Sequence, residues 1–302
     1  MNTTEQQPIR IAAIIPTFNR AASLRNILTC LQQQVFEDYH VSLLPVVVVD
    51  GSTDETLNML AQEFPDVTIV HGDGNWWYTR SINEGIKKAR QLDCHLILTL
   101  NDDITFPPEY VLTLLRDHIR SGPDSIIGSV SISTSQPSLI TFSGVSKVDF
   151  FLKEFNYIPK FSPIDEASLG GLKPSVVLSG RGILYPVKIF DRFGLYDEKL
   201  VQYASETDFT YTASRQGLPV FISYNARVYE NIRTTSAGAV VNNPSLAALL
   251  KSFRNKYSIN SIGKIRYYSV KHRGPVAGSL LTLWRTMGVV KNFALVKLKL
   301  KK

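Results

Sequence analysis

Three short apolar runs, Arg10–Ile15 (RIAAII), Pro45–Val49 (PVVVV) and His95–Leu100 (HLILTL), each stop at polar residues and are spaced far enough apart for a helix between them. Runs that are apolar at every position, rather than at alternate ones, read as strands covered on both faces. Between the first two runs, Leu24, Ile27, Leu28 and Leu31 follow Ser23 at the spacing of one helix face. After the second, Ser52-Thr53-Asp54-Glu55 reads as a capping box opening a helix through Phe64. Val67–Val70 is a further strand and Thr79–Leu92 a helix, so the order predicts βαβ units and a mostly parallel sheet. Beyond Pro107-Pro108, which suit a helix start, Ser125–Ile132 and Leu139–Phe142 read as strands and residues 150–174 as a loop-rich insertion. Short helices are expected over Pro186–Phe193 and Thr207–Gln216.

Ligands of such sheets sit outside the carboxyl ends of the strands. Four polar clusters fall there: Thr17-Phe18-Asn19-Arg20, Asp50-Gly51-Ser52, Gly72-Asp73-Gly74-Asn75 and Asn101-Asp102-Asp103. Adjacent acids such as Asp102 and Asp103 repel unless a cation or hydroxyl donors hold them, and a hard divalent ion takes carboxylate, phosphate and water oxygens. A solvated, helix-capping loop is the alternative. Asp50 lies where a carboxylate can accept from a base or ribose, whereas Ser52 fits an ordinary cap. Trp76-Trp77-Tyr78 is either core or a platform for a sugar or base. Glu206 and Asp208 open a helix, where acids are favoured by the helix dipole, yet a transferase also needs a carboxylate base near its acceptor.

Taken together, Ile15-Pro16-Thr17-Phe18-Asn19-Arg20, Asp50-Gly51-Ser52-Thr53-Asp54, Asn101-Asp102-Asp103, Leu178-Ser179-Gly180-Arg181-Gly182, Phe193–Glu198 and Ser205-Glu206-Thr207-Asp208 resemble glycosyltransferase family 2, in that order over roughly residues 10–225. The stretch Gly72–Tyr78 looks most like its bacterial rhamnosyltransferase-like branch. The resemblance implies a GT-A type α/β fold: a mostly parallel central sheet flanked by helices, with a Rossmann-like nucleotide-binding half and an acceptor half over residues 1–240. It implies an inverting transfer from a UDP- or dTDP-sugar to a hydroxyl of a glycan or lipid-linked glycan, in bacterial surface polysaccharide synthesis. By the same resemblance Pro16, Thr17, Asn19, Asp50, Asn83, Asp102 and Arg181 line the donor, Asp103 ligates Mg²⁺ or Mn²⁺, and Glu206, with Asp208 as its rival, is the base. Three positions depart from the family pattern. Val49 stands where an Asp is common before Asp50, Glu206 replaces the usual Asp, and the late His of the metal site is absent around Val228-Tyr229-Glu230-Asn231, leaving Glu230 or Asn231.

The charge divides the chain. Residues 1–230 carry 19 Lys+Arg and all 26 Asp+Glu, while residues 231–302 carry 14 Lys+Arg and no acid. Residues 241–302 are accordingly expected to form a basic helical C-terminal extension. Its interfacial helix around Val276–Val290 suits an anionic membrane surface better than nucleic acid, for which no module is recognisable. Packing on the catalytic domain, or on a second subunit as an oligomer contact, is the alternative. Cys30 and Cys94 have no metal-ligand spacing, the N-terminal residues lack the apolar run of a secretory signal, and no long uncharged apolar stretch occurs; a cytoplasmic placement, peripheral at the inner membrane face, is expected. A nucleotidyltransferase or a dinucleotide oxidoreductase would need a Gly-rich phosphate loop after the first strand, where Pro16-Thr17-Phe18-Asn19 stands. A catalytically silent glycan-binding or scaffold protein is the non-enzyme alternative, and the joint presence of Asp50, Asp102, Asp103 and Glu206 weighs against it.

Overall fold

In the computed structural model, residues 7–134, 138–231 and 245–299 are described. The first half alternates as read: β1 (Ile9–Thr17), α1 (Ala21–Gln32), β2 (Val41–Asp50), α2 (Thr56–Glu63), β3 (Thr68–Gly72), α3 (Trp77–Gln91) and β4 (Leu96–Thr99). These strands lie in the order β3-β2-β1-β4, all parallel. Neighbouring residues of β1 face opposite cores. Ala12 and Ile14 pack with Ile82 and Ile86 of α3, whereas Ile11, Ala13 and Ile15 pack with Leu24, Ile27 and Leu28 of α1. Covering on both faces is why the run carries no polar alternation.

The second half is mixed. After β5 (Ile104–Thr105) and α4 (Tyr110–Ser121), β6 (Ile126–Ser133) and β12 (Val220–Glu230) pair in parallel. β11 (Ile183–Pro186) runs antiparallel between β4 and β6, which joins the halves into one sheet. The parallel character is therefore confined to β3-β2-β1-β4 and the β6–β12 pair. Between them come β7 (Ile140–Phe142), β8 (Val145–Val148), β9 (Glu154–Asn156) and β10 (Leu172–Pro174), so the loop-rich insertion contains two short strands. Pro186 closes β11 rather than opening a helix, and α5 spans Ile189–Phe193. α6 runs over Ser205–Arg215, two residues earlier than its periodicity suggests.

The capping box does not form. α2 begins at Thr56, and Asp54 serves its start instead, accepting the Thr56 N–H at 3.1 Å while its other oxygen takes the Ala21 N–H of α1 at 3.2 Å. Ser52 is diverted to the Asn19 N–H at 3.0 Å.

The extension comprises α7 (Leu246–Arg254), α8 (Ile262–Arg273) and α9 (Pro275–Lys299). α8 docks on α6 and the segment before it by specific contacts. Lys271 reaches Asp197 and Asp208, each at 2.7 Å, His272 Nε2 lies 2.9 Å from Asp208, and the Tyr267 hydroxyl donates to Asp197 at 2.6 Å. The expected boundary at residue 240 falls outside the described residues.

Candidate active site

At the carboxyl ends of β1 and β4, Thr17, Arg20, Asp102 and Asp103 converge. The Thr17 hydroxyl donates to Asp102 at 2.8 Å. Arg20 spans both acids, at 2.7 Å from Asp102 and 3.3 Å from Asp103, which answers the repulsion between them. Burial raises the Asp102 pKa to about 6 against the opposing pull of Arg20 and Thr17. The Asp103 carboxylate keeps 17% of its surface and only the longer Arg20 contact, so it can present an oxygen outward. Among the described residues no group of three His, Cys, Asp or Glu side chains gathers. One carboxylate at a strand end fits Mg²⁺ or Mn²⁺ completed by substrate phosphate and water.

Asn19, at φ +52, cross-links two strand ends: its side-chain oxygen accepts from the Thr53 N–H at 2.7 Å. Pro16 precedes it at the end of β1, and Phe18 beside it is 52% exposed, an aromatic face at the strand ends. Asp50 is buried and holds the next loop, accepting the N–H groups of Gly74, Trp76 and Trp77 at 2.8, 3.0 and 2.8 Å. The β2 and β3 loops approach so closely that a Cβ at Gly51, where φ is +69, would lie 2.7 Å from Gly74 Cα. These bonds make Asp50 the organiser of the Gly72–Trp77 loop, with Oδ1 accepting only from Gly74. Asn83 likewise spends its amide on protein, bonding Tyr196 N and O, each at 2.9 Å, and Glu198 at 3.0 Å. It thereby clamps α3 to the segment leading to α6.

Of the three aromatics, Trp76 packs against the core. Trp77 stacks on Tyr257 of the extension with ring centroids 3.8 Å apart. The Tyr78 hydroxyl is buried with no hydrogen-bond partner among the described residues.

Glu206 opens onto a cavity of about 310 Å³ whose walls include Arg181, Ser179, Tyr203, Lys264 and Tyr268. It stands at the start of α6 behind two non-glycine residues at positive φ, Tyr203 at 66° and Ala204 at 71°, a conformation that persists only where surrounding contacts over-determine it. Its carboxylate accepts from the Ser205 hydroxyl at 3.3 Å. Burial raises its pKa, opposed by its own and the Gly180 backbone N–H, by Ser205 and by Arg181. Gly180 is required by space: a Cβ there would lie 2.3 Å from Tyr78 Oη and 3.4 Å from Glu206 Cδ. Asp208, two residues on, points elsewhere. It is buried against Lys271 and His272 and so ties α8 to the start of α6.

Glu230 joins the two centres. Its backbone pairs with Ile104, next to Asp103, while its buried carboxylate binds Arg181 at 3.1 Å and accepts from the Thr141 hydroxyl. Arg20 and Lys264 have no assigned role in the sequence motifs; Arg20 does carry a local signal, as the one cation among the strand-end clusters, and Lys264 carries none.

Residues 12–166 match the family described as Glycosyl transferase family 2. A curated relative, the galactofuranosyltransferase GlfT2 of Mycolicibacterium smegmatis, is 27% identical over 143 residues, which is 44% of this chain and 21% of that protein. The chain therefore spans about a fifth of that relative's length. Among solved structures, GalNAc-T7 with UDP, GalNAc and Mn²⁺ superposes with a TM-score of 0.61 at 13% identity, over 89% of this chain and 51% of that one. TarS of S. aureus (residues 1–349) gives 0.55 at 15%, over 87% and 65%. The mannosyltransferase PcManGT of Pyrobaculum calidifontis, in complex with GDP-Man and Mn²⁺, gives 0.54 at 13%, over 97% and 81%. At these identities the structures establish a shared GT-A fold.

Proposed function

The chain belongs to glycosyl transferase family 2, and from that premise we propose that it moves a glycosyl group, with inversion, from a UDP- or dTDP-sugar to a hydroxyl of a glycan or lipid-linked glycan. The observation that carries this reading is the juxtaposition of two centres: the Arg20–Asp102–Asp103 cluster and the half-buried Glu206, linked through Arg181 and Glu230. Thr17, Asn19 and Asp102 lie where a nucleoside is received, with Phe18 offering a face for the base. Structural relatives captured with UDP or GDP-Man support a nucleotide-sugar donor.

Asp103 would hold a divalent cation, Mg²⁺ or Mn²⁺, whose charge offsets the departing diphosphate. Arg20 adds a fixed positive charge beside it. Glu206 accepts the proton of the acceptor hydroxyl as its oxygen attacks the anomeric carbon and the bond to the diphosphate breaks. A base serves this step best when its pKa approaches the working pH, and burial moves Glu206 in that direction. Arg181 and Ser205 orient the carboxylate. Donor binding and turnover in Asp103→Ala and Glu206→Gln test the assignment.

We further place the protein against an anionic membrane surface, at the face where a lipid-linked acceptor is presented for surface polysaccharide synthesis. Val276, Leu280, Leu283, Trp284, Met287 and Val290 form an apolar stripe along α9, each 44–76% exposed. The exposed Phe151 ring extends it, 5.2 Å from that of Trp284. No helix among the described residues is long and apolar enough to cross a membrane, so an interfacial helix is the arrangement that fits.

A further inference from the structure

The cavity beside Glu206 is walled by cations from separate parts of the chain: Arg181, Lys264 of α8, Arg285 of α9 and Lys160. Arg181 has Glu230 as its counter-ion, but among the described residues no carboxylate forms an ion pair with Lys160, Lys264 or Arg285. Lys264 is the telling member, only 8% exposed. One of its three donors is used, on the Gln202 carbonyl at 3.0 Å, and the ammonium sits 5.0 Å over the Tyr203 ring. Burial lowers its pKa to about 8, although the nearby Glu206 charge pulls the other way. Holding a cation out of water without a paired carboxylate is costly, and an incoming anion would offset that cost. Arg285 adds a planar fork suited to two oxygens of one phosphate. Glu154 and Glu206 also face the cavity, so the cations outnumber the acids before any acceptor enters.

We propose that this cavity binds a phosphate group carried by the acceptor, with Lys264 and Arg285 as its ligands, and that the C-terminal extension therefore builds the acceptor site. The inference rests on the transferase reading, because it is Glu206 that makes the cavity an acceptor site. It goes beyond that reading in giving the acceptor a charge and in assigning its recognition to α8 and α9, outside the matched family region.

The test uses the full chain with the donor site saturated by UDP, or by dTDP if that binds better, and Mn²⁺. Glycerol 3-phosphate and a short-chain phosphatidic acid are titrated calorimetrically, with glycerol as the uncharged control. Both phosphates are expected to bind and glycerol is not. Lys264→Gln and Arg285→Gln should each weaken phosphate binding by at least about tenfold while leaving nucleotide affinity unchanged. Arg285 is half-exposed on a surface helix, so its variant keeps the test valid should Lys264→Gln misfold. Tighter binding of the phosphatidic acid identifies a lipid-borne phosphate, and equal binding identifies the phosphate alone. Nucleotide binding with no phosphate binding, or phosphate binding indifferent to both substitutions, overturns the proposal. A chain that binds neither nucleotide overturns the transferase reading itself.

Discussion

The proposed donor edge and the proposed acceptor cavity are built in opposite ways. At the proposed donor edge, Thr17 and Asp50 end parallel strands and Arg20, Asp102 and Asp103 follow them, so backbone register delivers them and local sequence announces them. Around Glu206, the neighbours come from residues 160, 179–181, 203–207 and 259–285. There, function depends on whether distant elements dock. A strand-end site survives loss of the periphery, whereas an assembled site does not.

The largest effect that separates the two should come from the donor edge. Asp103→Ala, or chelation of the native protein by EDTA, should lower turnover by about a thousandfold or more, since a metal contributes several kcal/mol of charge stabilisation; thermal stability should hardly change, because Asp103 keeps only one long ion pair. Full turnover after either treatment would remove the metal from the account.

The second effect should fall on assembly. Asp208→Asn leaves His272 facing a neutral amide in a buried place while Lys271 keeps Asp197, and loss of such buried, charge-assisted hydrogen bonds typically costs about 1–3 kcal/mol. The midpoint of thermal unfolding should fall by several degrees, with the nucleotide still bound by the folded fraction. If stability is unchanged, α8 does not depend on this contact.

A third test addresses the glycine that lets the two regions touch. Gly180→Ala forces a methyl onto the Tyr78 hydroxyl, 2.3 Å away, and should reduce turnover roughly tenfold through displacement of Glu206. Combining it with Tyr78→Phe, which removes the clashing oxygen, should restore part of the loss. Absence of restoration would locate the damage elsewhere.

The remaining effect should be on association rather than turnover, at the proposed membrane face. Leu283→Glu with Trp284→Glu should reduce binding to anionic phospholipid vesicles in a flotation assay, by roughly 1–3 kcal/mol for each side chain withdrawn from the interface. Nucleotide binding should be unaltered. Vesicle binding that persists would return α9 to the alternative of packing on a second subunit.

Legibility in the sequence follows the same divide. β1, β2 and β4 could be read because burial on both faces leaves unbroken apolar runs, and α1 because its apolar spacing is strict. The strand-end clusters followed from topology alone. The capping box failed because Asn19, 33 residues away, captures Ser52 and leaves Asp54 to serve two helices. The antiparallel β11 and the short strands β7–β10 carry no period long enough to fix their direction. The hydrogen bonds by which Asp50 and Asn83 hold loops join residues 24 to 27 and 113 to 115 positions apart, which no local pattern marks. Lys264 and Asp208 could not be assigned because their partners lie 62 to 64 residues away, with no local pattern to mark them.

The most direct test of the central claim is turnover and donor affinity measured side by side in Glu206→Gln and Asp208→Asn across pH. The base must be ionised to accept a proton, and burial raises its pKa. Native turnover should therefore fall on acidification through a limb above the ordinary glutamate range. Glu206→Gln should bind donor normally, lose this limb and turn over about 10²–10⁴ times more slowly, while folded Asp208→Asn keeps it. Near-native turnover in Glu206→Gln, with the acidic limb intact and Asp208→Asn inactive but still binding donor, would contradict the account and make Asp208 the base.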